Sequence, residues 1–182
     1  MVEKALTALQ NKELVLYPTD TVWGIGGDAT DPSVVKKIYA LKQREDSKAL
    51  IVLVNSITML KKYVENVPES ALLLLEEDRP TTIIYEKGKN LAPNLLGQDG
   101  SIGIRIPKHD FCTEVITRFG KPLISTSANI SGQPTPQHFE SISKEIIKGV
   151  DYCVPYFESK ATLQPSRVIK IEADGSLTLL RP

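Results

Sequence analysis

The segment Tyr17-Pro18-Thr19-Asp20-Thr21-Val22-Trp23-Gly24 sets two hydroxyls and a carboxylate directly behind a short apolar run, Leu14-Val15-Leu16-Tyr17. Turn chemistry alone would account for those residue types. So would ligand binding just past the end of a strand, where open α/β sheets hold their ligands. A second segment, Leu41-Lys42-Gln43-Arg44-Glu45-Asp46-Ser47-Lys48, places three cations in seven residues before the apolar run that starts at Leu50. Such cations could complement a helix C-terminus. Facing a cleft they would grip phosphate instead, arginine as a fork and lysine as a point charge. A third segment, Ser125-Thr126-Ser127-Ala128-Asn129-Ile130-Ser131-Gly132, carries five polar side chains, more than a turn needs. Hydroxyl and amide groups at that density suit phosphate oxygens or a nucleobase edge. Arg105, Ser166, Arg167 and Arg181 lie in or beside expected strands, and each alone reads as a surface charge or a strand-edge hydroxyl.

Several chemistries are excluded by what the chain lacks. It contains no G-x-x-x-x-G-K-[ST], no H-E-x-x-H and no G-x-S-x-G. Gly24-Ile25-Gly26-Gly27 has neither the helix start nor the later acidic residue of a dinucleotide fingerprint. The two histidines, His109 and His138, and the two cysteines, Cys112 and Cys153, form no metal-ligand spacing. His109 and Cys112 could share a helix face, but they read as a loop histidine and a buried thiol. Two distant thiols make no disulfide framework, so a reducing cytoplasm is the expected compartment. The start Met1-Val2-Glu3-Lys4-Ala5-Leu6 has no apolar core of a targeting signal, and no run is long enough to span a bilayer. Twenty-two Lys plus Arg balance 22 Asp plus Glu. That balance disfavours a general nucleic-acid coater and leaves room for a local cationic pocket.

The elements that would hold these segments alternate along the chain. With 182 residues, 41% hydrophobic and 24% charged, the chain fits one domain able to bury about 70% of its extended surface. Helices are expected at Val2–Gln10, at Ile57–Val64, at Glu69–Glu77, at Asp110–Phe119 and around Phe139–Ile147. Asp31-Pro32 starts another, with a capping carboxylate and proline at the first helical position. Val34, Val35, Ile38 and Leu41 give that helix its apolar face. Strands are expected at Leu14–Tyr17, Leu50–Val54, Thr81–Tyr85, Ser101–Ile106 (interrupted by Gly103) and Leu123–Ser125. A closing hairpin, Val168–Ile171 and Leu177–Leu180, turns at Asp174-Gly175. The whole predicts an α/β domain with a mixed sheet, carrying a cationic, hydroxyl-rich site for an anionic ligand such as a nucleotide.

Taken together, these segments resemble the YrdC-like family, whose catalytic members are threonylcarbamoyl-AMP synthases. The markers run in order from Leu14 to Arg181: the Tyr17–Gly24 segment, Lys42-Gln43-Arg44, Ser101-Ile102-Gly103-Ile104-Arg105-Ile106-Pro107, the segment from Lys121-Pro122 to Gly132, and Pro165-Ser166. The resemblance implies a twisted mixed β-sheet flanked by helices around a large concave cationic cavity, built as one domain over 1–182. It implies a cytoplasmic nucleotidyltransferase that makes threonylcarbamoyl-AMP and pyrophosphate from L-threonine, bicarbonate and ATP. Partner proteins would then pass the threonylcarbamoyl group to the adenosine beside the tRNA anticodon, with weak direct binding of tRNA or double-stranded RNA also expected. Position by position, Lys42 and Arg44 match the catalytic Lys-x-Arg motif. Thr21, Arg105, Ser125 and Ser166 match threonine contacts, with Arg105 on the substrate carboxylate. Arg44, Lys48, Ser101, Ser127, Asn129, Thr135 and Arg181 match the nucleotide side, Asn129 either touching ligand or shaping the loop. Mg²⁺ is expected with ATP, without a dedicated protein site. The chain departs from the family at Asp78-Arg79-Pro80-Thr81-Thr82, where many members have Pro-Gly-Pro-x-Thr, and at Leu53, where some carry histidine. Trp23 replaces the usual tyrosine or phenylalanine, and the ending at Arg181-Pro182 points to the short, single-domain form. A non-catalytic RNA-binding module on the same fold, and a relative using a different carbamoyl donor, are the other readings.

Overall fold

The computed structural model describes residues 1–43, 50–155 and 162–182. Among them, nine strands form one sheet: β1 (Val15–Tyr17), β2 (Gly24–Gly26), β3 (Ile51–Leu53), β4 (Thr81–Tyr85), β5 (Ile102–Arg105), β6 (Leu123–Ser127), β7 (Tyr152–Cys153), β8 (Arg167–Ile171) and β9 (Leu177–Arg181). Their spatial order is β7-β1-β2-β6-β3-β5-β4-β8-β9. The β1–β7, β3–β5 and β4–β8 pairs are parallel and the others antiparallel, so the sheet is mixed as expected. The helices are α1 (Val2–Gln10), α2 (Pro32–Lys42), α3 (Ile57–Leu60), α4 (Glu69–Glu76), α5 (Asp110–Phe119) and α6 (Lys144–Gly149).

Local signals account for the helix ends. Asp31 caps α2 by accepting from the Ser33 amide at 2.8 Å, and Pro32 supplies a preset φ at the first position. The helix stops where Gln43 turns left-handed at φ 50°. Gly120 ends α5 at φ 72°, a conformation that needs no side chain. Ala5, Leu6, Ala8 and Leu9 on α1 and Phe111, Cys112, Val115 and Ile116 on α5 are all buried, and the two helices pack together.

Some readings of the sequence change. The predicted helix around Phe139–Ile147 is a 3₁₀ turn at Phe139–Ser141 followed by α6. It breaks because Ser143 turns extended and caps α6, accepting from Ile146 N at 3.3 Å. The helix near Ile57–Val64 is only α3, continued by i→i−3 turns that bury Tyr63 and Val64. Gly103 lies inside β5 and does not interrupt it. The unforeseen β2 is two-thirds glycine, and a side chain at Gly26 would stand 2.4 Å from the Ile124 carbonyl. Close backbone approach, not turn formation, therefore explains that glycine.

The register assigns the two faces of the sheet. Val52, Ile83, Ile104, Ile124 and Ile169 fall on one face and belong to the core, each at most 6% exposed. Gly24, Ser127, Ser125, Ile51, Gly103 and Ile84 fall on the other. Ser101 and Arg105 share it by alternation with Gly103. This second face carries the hydroxyls and the arginine.

Asp31 gives a measurable consequence. Lys12, first, and then Ser33 hold its carboxyl well below the usual carboxylate range. A depressed folded value adds stability that is fully present above the unfolded value near about pH 4 and is lost progressively as pH falls from there through the lower folded value. Asp31→Ala should cost about 1 kcal/mol at pH 7, and thermal melts of the two proteins should draw together as pH falls below about 4.

Candidate functional site

Behind β1 the chain folds Thr19, Asp20 and Thr21 under the sheet face. The Arg105 guanidinium at the end of β5 donates from Nη1 to Asp20 Oδ1 at 2.5 Å and from Nη2 to Thr21 Oγ1 at 3.3 Å. Arg105 and Asp20 are 4% and 6% exposed, so this ion pair is internal. The second Asp20 oxygen accepts from the Lys108 amide at 3.1 Å. Thr19 Oγ1 donates to the Val22 carbonyl at 2.8 Å. Its one proton is thus committed, and Thr21 must donate across the 3.0 Å contact between the two hydroxyls. The direction of the whole relay is set: arginine to Thr21, Thr21 to Thr19, Thr19 to backbone.

Across the same face, Thr82 Oγ1 and Ser166 Oγ share a 2.7 Å hydrogen bond. Arg181 clasps the Ser166 carbonyl with Nε at 2.9 Å and Nη2 at 2.6 Å. Burial, and then the neighbouring Arg105 charge, lower its pKa from the ordinary arginine value. Between these clusters opens a cleft of about 170 Å³. Thr21, Arg105, Ser125, Ser127, Thr135, Ser166 and Arg181 all line it, together with Trp23, Leu50 and Ile51. Trp23 forms an apolar wall braced by Phe139, ring centroids 5.1 Å apart. The described lining residues include two arginines and no carboxylate, an arrangement suited to anions.

Three expected site residues are placed otherwise. Lys42, expected at the reacting groups, is 1% exposed and donates to the carbonyls of Ser127 at 2.5 Å and Asn129 at 2.7 Å. It is absent from the cleft lining and pins the end of α2 to the loop after β6. Asn129 engages its side chain inside that loop, accepting from Ser127 Oγ at 2.5 Å and donating to Ile130 and Gln133 carbonyls at 3.1 and 2.7 Å. Ser101 stands at the opposite end of β5 from Arg105, on the same face but outside the lining. Arg44 and Lys48 lie outside the described residues. Asp20, Thr19 and Thr82 are supporting residues that the sequence reading left unassigned. Asp20 is the carboxylate of the segment behind β1, but its partner is 85 positions away.

Burial pushes the Cys112 thiol up to about 12, and its Sγ donates to the Pro18 carbonyl at 3.5 Å. Burial also lowers the His109 pKa. No group of three or more His, Cys, Asp or Glu that could hold a metal ion occurs among the described residues. Among them, too, no helix is long and apolar enough to cross a membrane.

The Sua5/YciO/YrdC family profile, described as telomere recombination, matches residues 7–182. The chain belongs to that family. It is 35% identical over 171 residues to a putative threonylcarbamoyl-AMP synthase of Methanocaldococcus jannaschii, covering 93% of this chain and 79% of the relative. It is 34% identical over 137 residues to the threonylcarbamoyl-AMP synthase of Photobacterium profundum, covering 73% and 74%. Pyrococcus abyssi Sua5, solved in complex with L-threonine, superposes with a TM-score of 0.89 at 26% identity over 100% of this chain. This chain spans about half of that Sua5, 53% of its length. Escherichia coli YciO shares the fold, with a TM-score of 0.81 at 23% identity over 99% of this chain and 87% of that one.

The Lys42 pin is testable by itself. Lys42→Met keeps most of the stem but removes the donor from two carbonyls. The Ser127 carbonyl keeps the Asn129 amide as a donor at 2.9 Å, so the loss falls mainly on the Asn129 carbonyl and should cost about 1–3 kcal/mol, read as a loss of stability in urea unfolding.

Proposed function

We propose that this protein is a threonylcarbamoyl-AMP synthase, a nucleotidyltransferase that joins L-threonine, bicarbonate and ATP into threonylcarbamoyl-AMP and pyrophosphate. The observation that carries the reading is the buried Arg105 guanidinium in a hydroxyl-lined cleft with a second arginine at its rim. A small amino acid fits there with its carboxylate on Arg105 and its side chain among Thr21, Ser125 and Ser166. Ser127, Thr135 and Arg181 would face the nucleotide. Ser101 would extend that surface along the sheet, with Arg44 and Lys48 assigned to phosphate by the family resemblance. The relatives' printed names support the same chemistry.

The reaction needs positioning more than a protein nucleophile. The uncharged threonine amine attacks the carbon of bicarbonate, with loss of water, or of carbon dioxide, with loss of a proton from nitrogen, giving a carbamate. A carbamate oxygen attacks the α-phosphorus, and the bond to the β-phosphate bridging oxygen breaks to release pyrophosphate. Fixed cations and hydroxyl dipoles stabilise the charge that develops. Magnesium fits as part of the nucleotide substrate, because both Asp20 oxygens already accept hydrogen bonds. We assign the product to partner proteins that modify tRNA, in the cytoplasm. A groove for RNA would display its cations at the surface, whereas Arg105 is internal.

Three experiments test this. Pyrophosphate release should require ATP, bicarbonate, L-threonine and magnesium together; tight RNA binding with no adenylate under any condition would favour the RNA module. Arg105→Ala should weaken threonine dependence by about 2–5 kcal/mol while leaving ATP dependence near wild type. Arg105→Lys should not restore it, since an ammonium lacks the planar fork. Serine, lacking one methyl, should remain a poorer substrate by only about 1–3 kcal/mol in kcat/KM.

A further inference from the structure

Asp20 does more than neutralise a buried charge. A guanidinium can bind a carboxylate through its end, using both Nη atoms, or through its side, using Nε and Nη2. With Asp20 Oδ1 on Nη1 at 2.5 Å, a carboxylate approaching end-on would have to share Nη1 with it. Nη2 makes only the longer 3.3 Å contact to Thr21, and Arg105 Nε is buried with no hydrogen-bond partner. An internal N–H without an acceptor is costly and calls for an explanation. The side edge is the fork that remains for a two-pronged contact. Asp20 cannot swing to release the other edge, because the Lys108 amide holds its Oδ2. Both its oxygens are engaged by donors, so it is also poorly suited to act as a base on the substrate amine.

We propose that Asp20 is a positioning residue that reserves the Nε–Nη2 edge of Arg105 for the α-carboxylate of the amino-acid substrate. This rests on the synthase reading above and adds the orientation of the fork and the residue that imposes it. The selectivity that follows is for a carboxylate over its uncharged amide. A carboxylate offers two acceptor oxygens to the side edge; a carboxamide offers one acceptor and presents N–H donors to N–H donors.

The test compares L-threonine with L-threoninamide in wild type, Asp20→Asn and Asp20→Glu, following pyrophosphate release with ATP varied separately. Wild type should prefer threonine over the amide by at least about 100-fold in kcat/KM. Asp20→Asn should raise the threonine KM at least about tenfold, leave the ATP KM within about twofold, and shrink the threonine/threoninamide ratio. Asp20→Glu keeps the charge that Arg105 needs inside the protein, so it guards against simple misfolding. Its carboxylate is one methylene too long, so its ratio should fall between the other two. Unchanged threonine KM and ratio in both variants would overturn the proposal. So would an equal loss of threonine and ATP affinity with a lowered melting temperature, which is what a purely structural pair would give. Absence of threonine-dependent pyrophosphate release in wild type would instead overturn the synthase reading, before any variant is compared.

Discussion

An arginine held inside a β-sheet protein must meet a counter-charge there, and Arg105 meets Asp20. Much of the local sequence answers to that requirement. Removing one partner of such a pair leaves an uncompensated buried charge, which is far more damaging than the pair is stabilising. Asp20 must therefore be delivered accurately, and the loop behind β1 does this with Thr19 accepting from the Thr21 amide at 3.1 Å. The Lys108 amide, just beyond β5, fixes the carboxylate from the other side. One charge thus ties the loop behind β1 to the end of β5 and the stretch just beyond it.

What the sequence disclosed followed the range of the interactions involved. Apolar periodicity located α1, α5, β4 and the closing hairpin, because each is decided by neighbours a few positions away. It missed β2 and β7. The first is mostly glycine, and the second is two residues long, with neither bearing a pattern to read. The strand at Leu123 was read too short because Thr126 and Ser127 look like turn residues. Pairing with Gly24 and Ile25 keeps them in β6, so the polar segment begins inside the sheet and not after it.

The site followed the same rule. Seven of the residues named from the resemblance line one cleft, since side chains that share a ligand must converge. Lys42 could not be placed this way. A lysine at a helix end beside arginine looks like a phosphate ligand, and only the long-range fold reveals carbonyls 85 and 87 positions away that take its protons. Asp20 escaped assignment for the converse reason: its chemistry is conspicuous, but its partner lies across the sheet.

The direction of the hydroxyl protons completes the chemical logic. Thr19 donates to a carbonyl, Thr21 to Thr19, and Ser127 to the Asn129 side chain. Thr82 and Ser166 share one bond. A hydroxyl becomes a nucleophile when a base takes its proton, and in these contacts the acceptors are carbonyls, an amide or another hydroxyl. The nearby thiol is held protonated and the nearby imidazole is biased to its neutral form. The described part of the cleft is therefore lined with oriented dipoles and two fixed cations, and none of these hydroxyls passes its proton to a base. That is the equipment for a reaction in which the substrates supply both nucleophile and leaving group. Preorganised charge then does the remaining task, since dipoles already aligned need no reorganisation when negative charge moves from the carbamate toward the departing pyrophosphate.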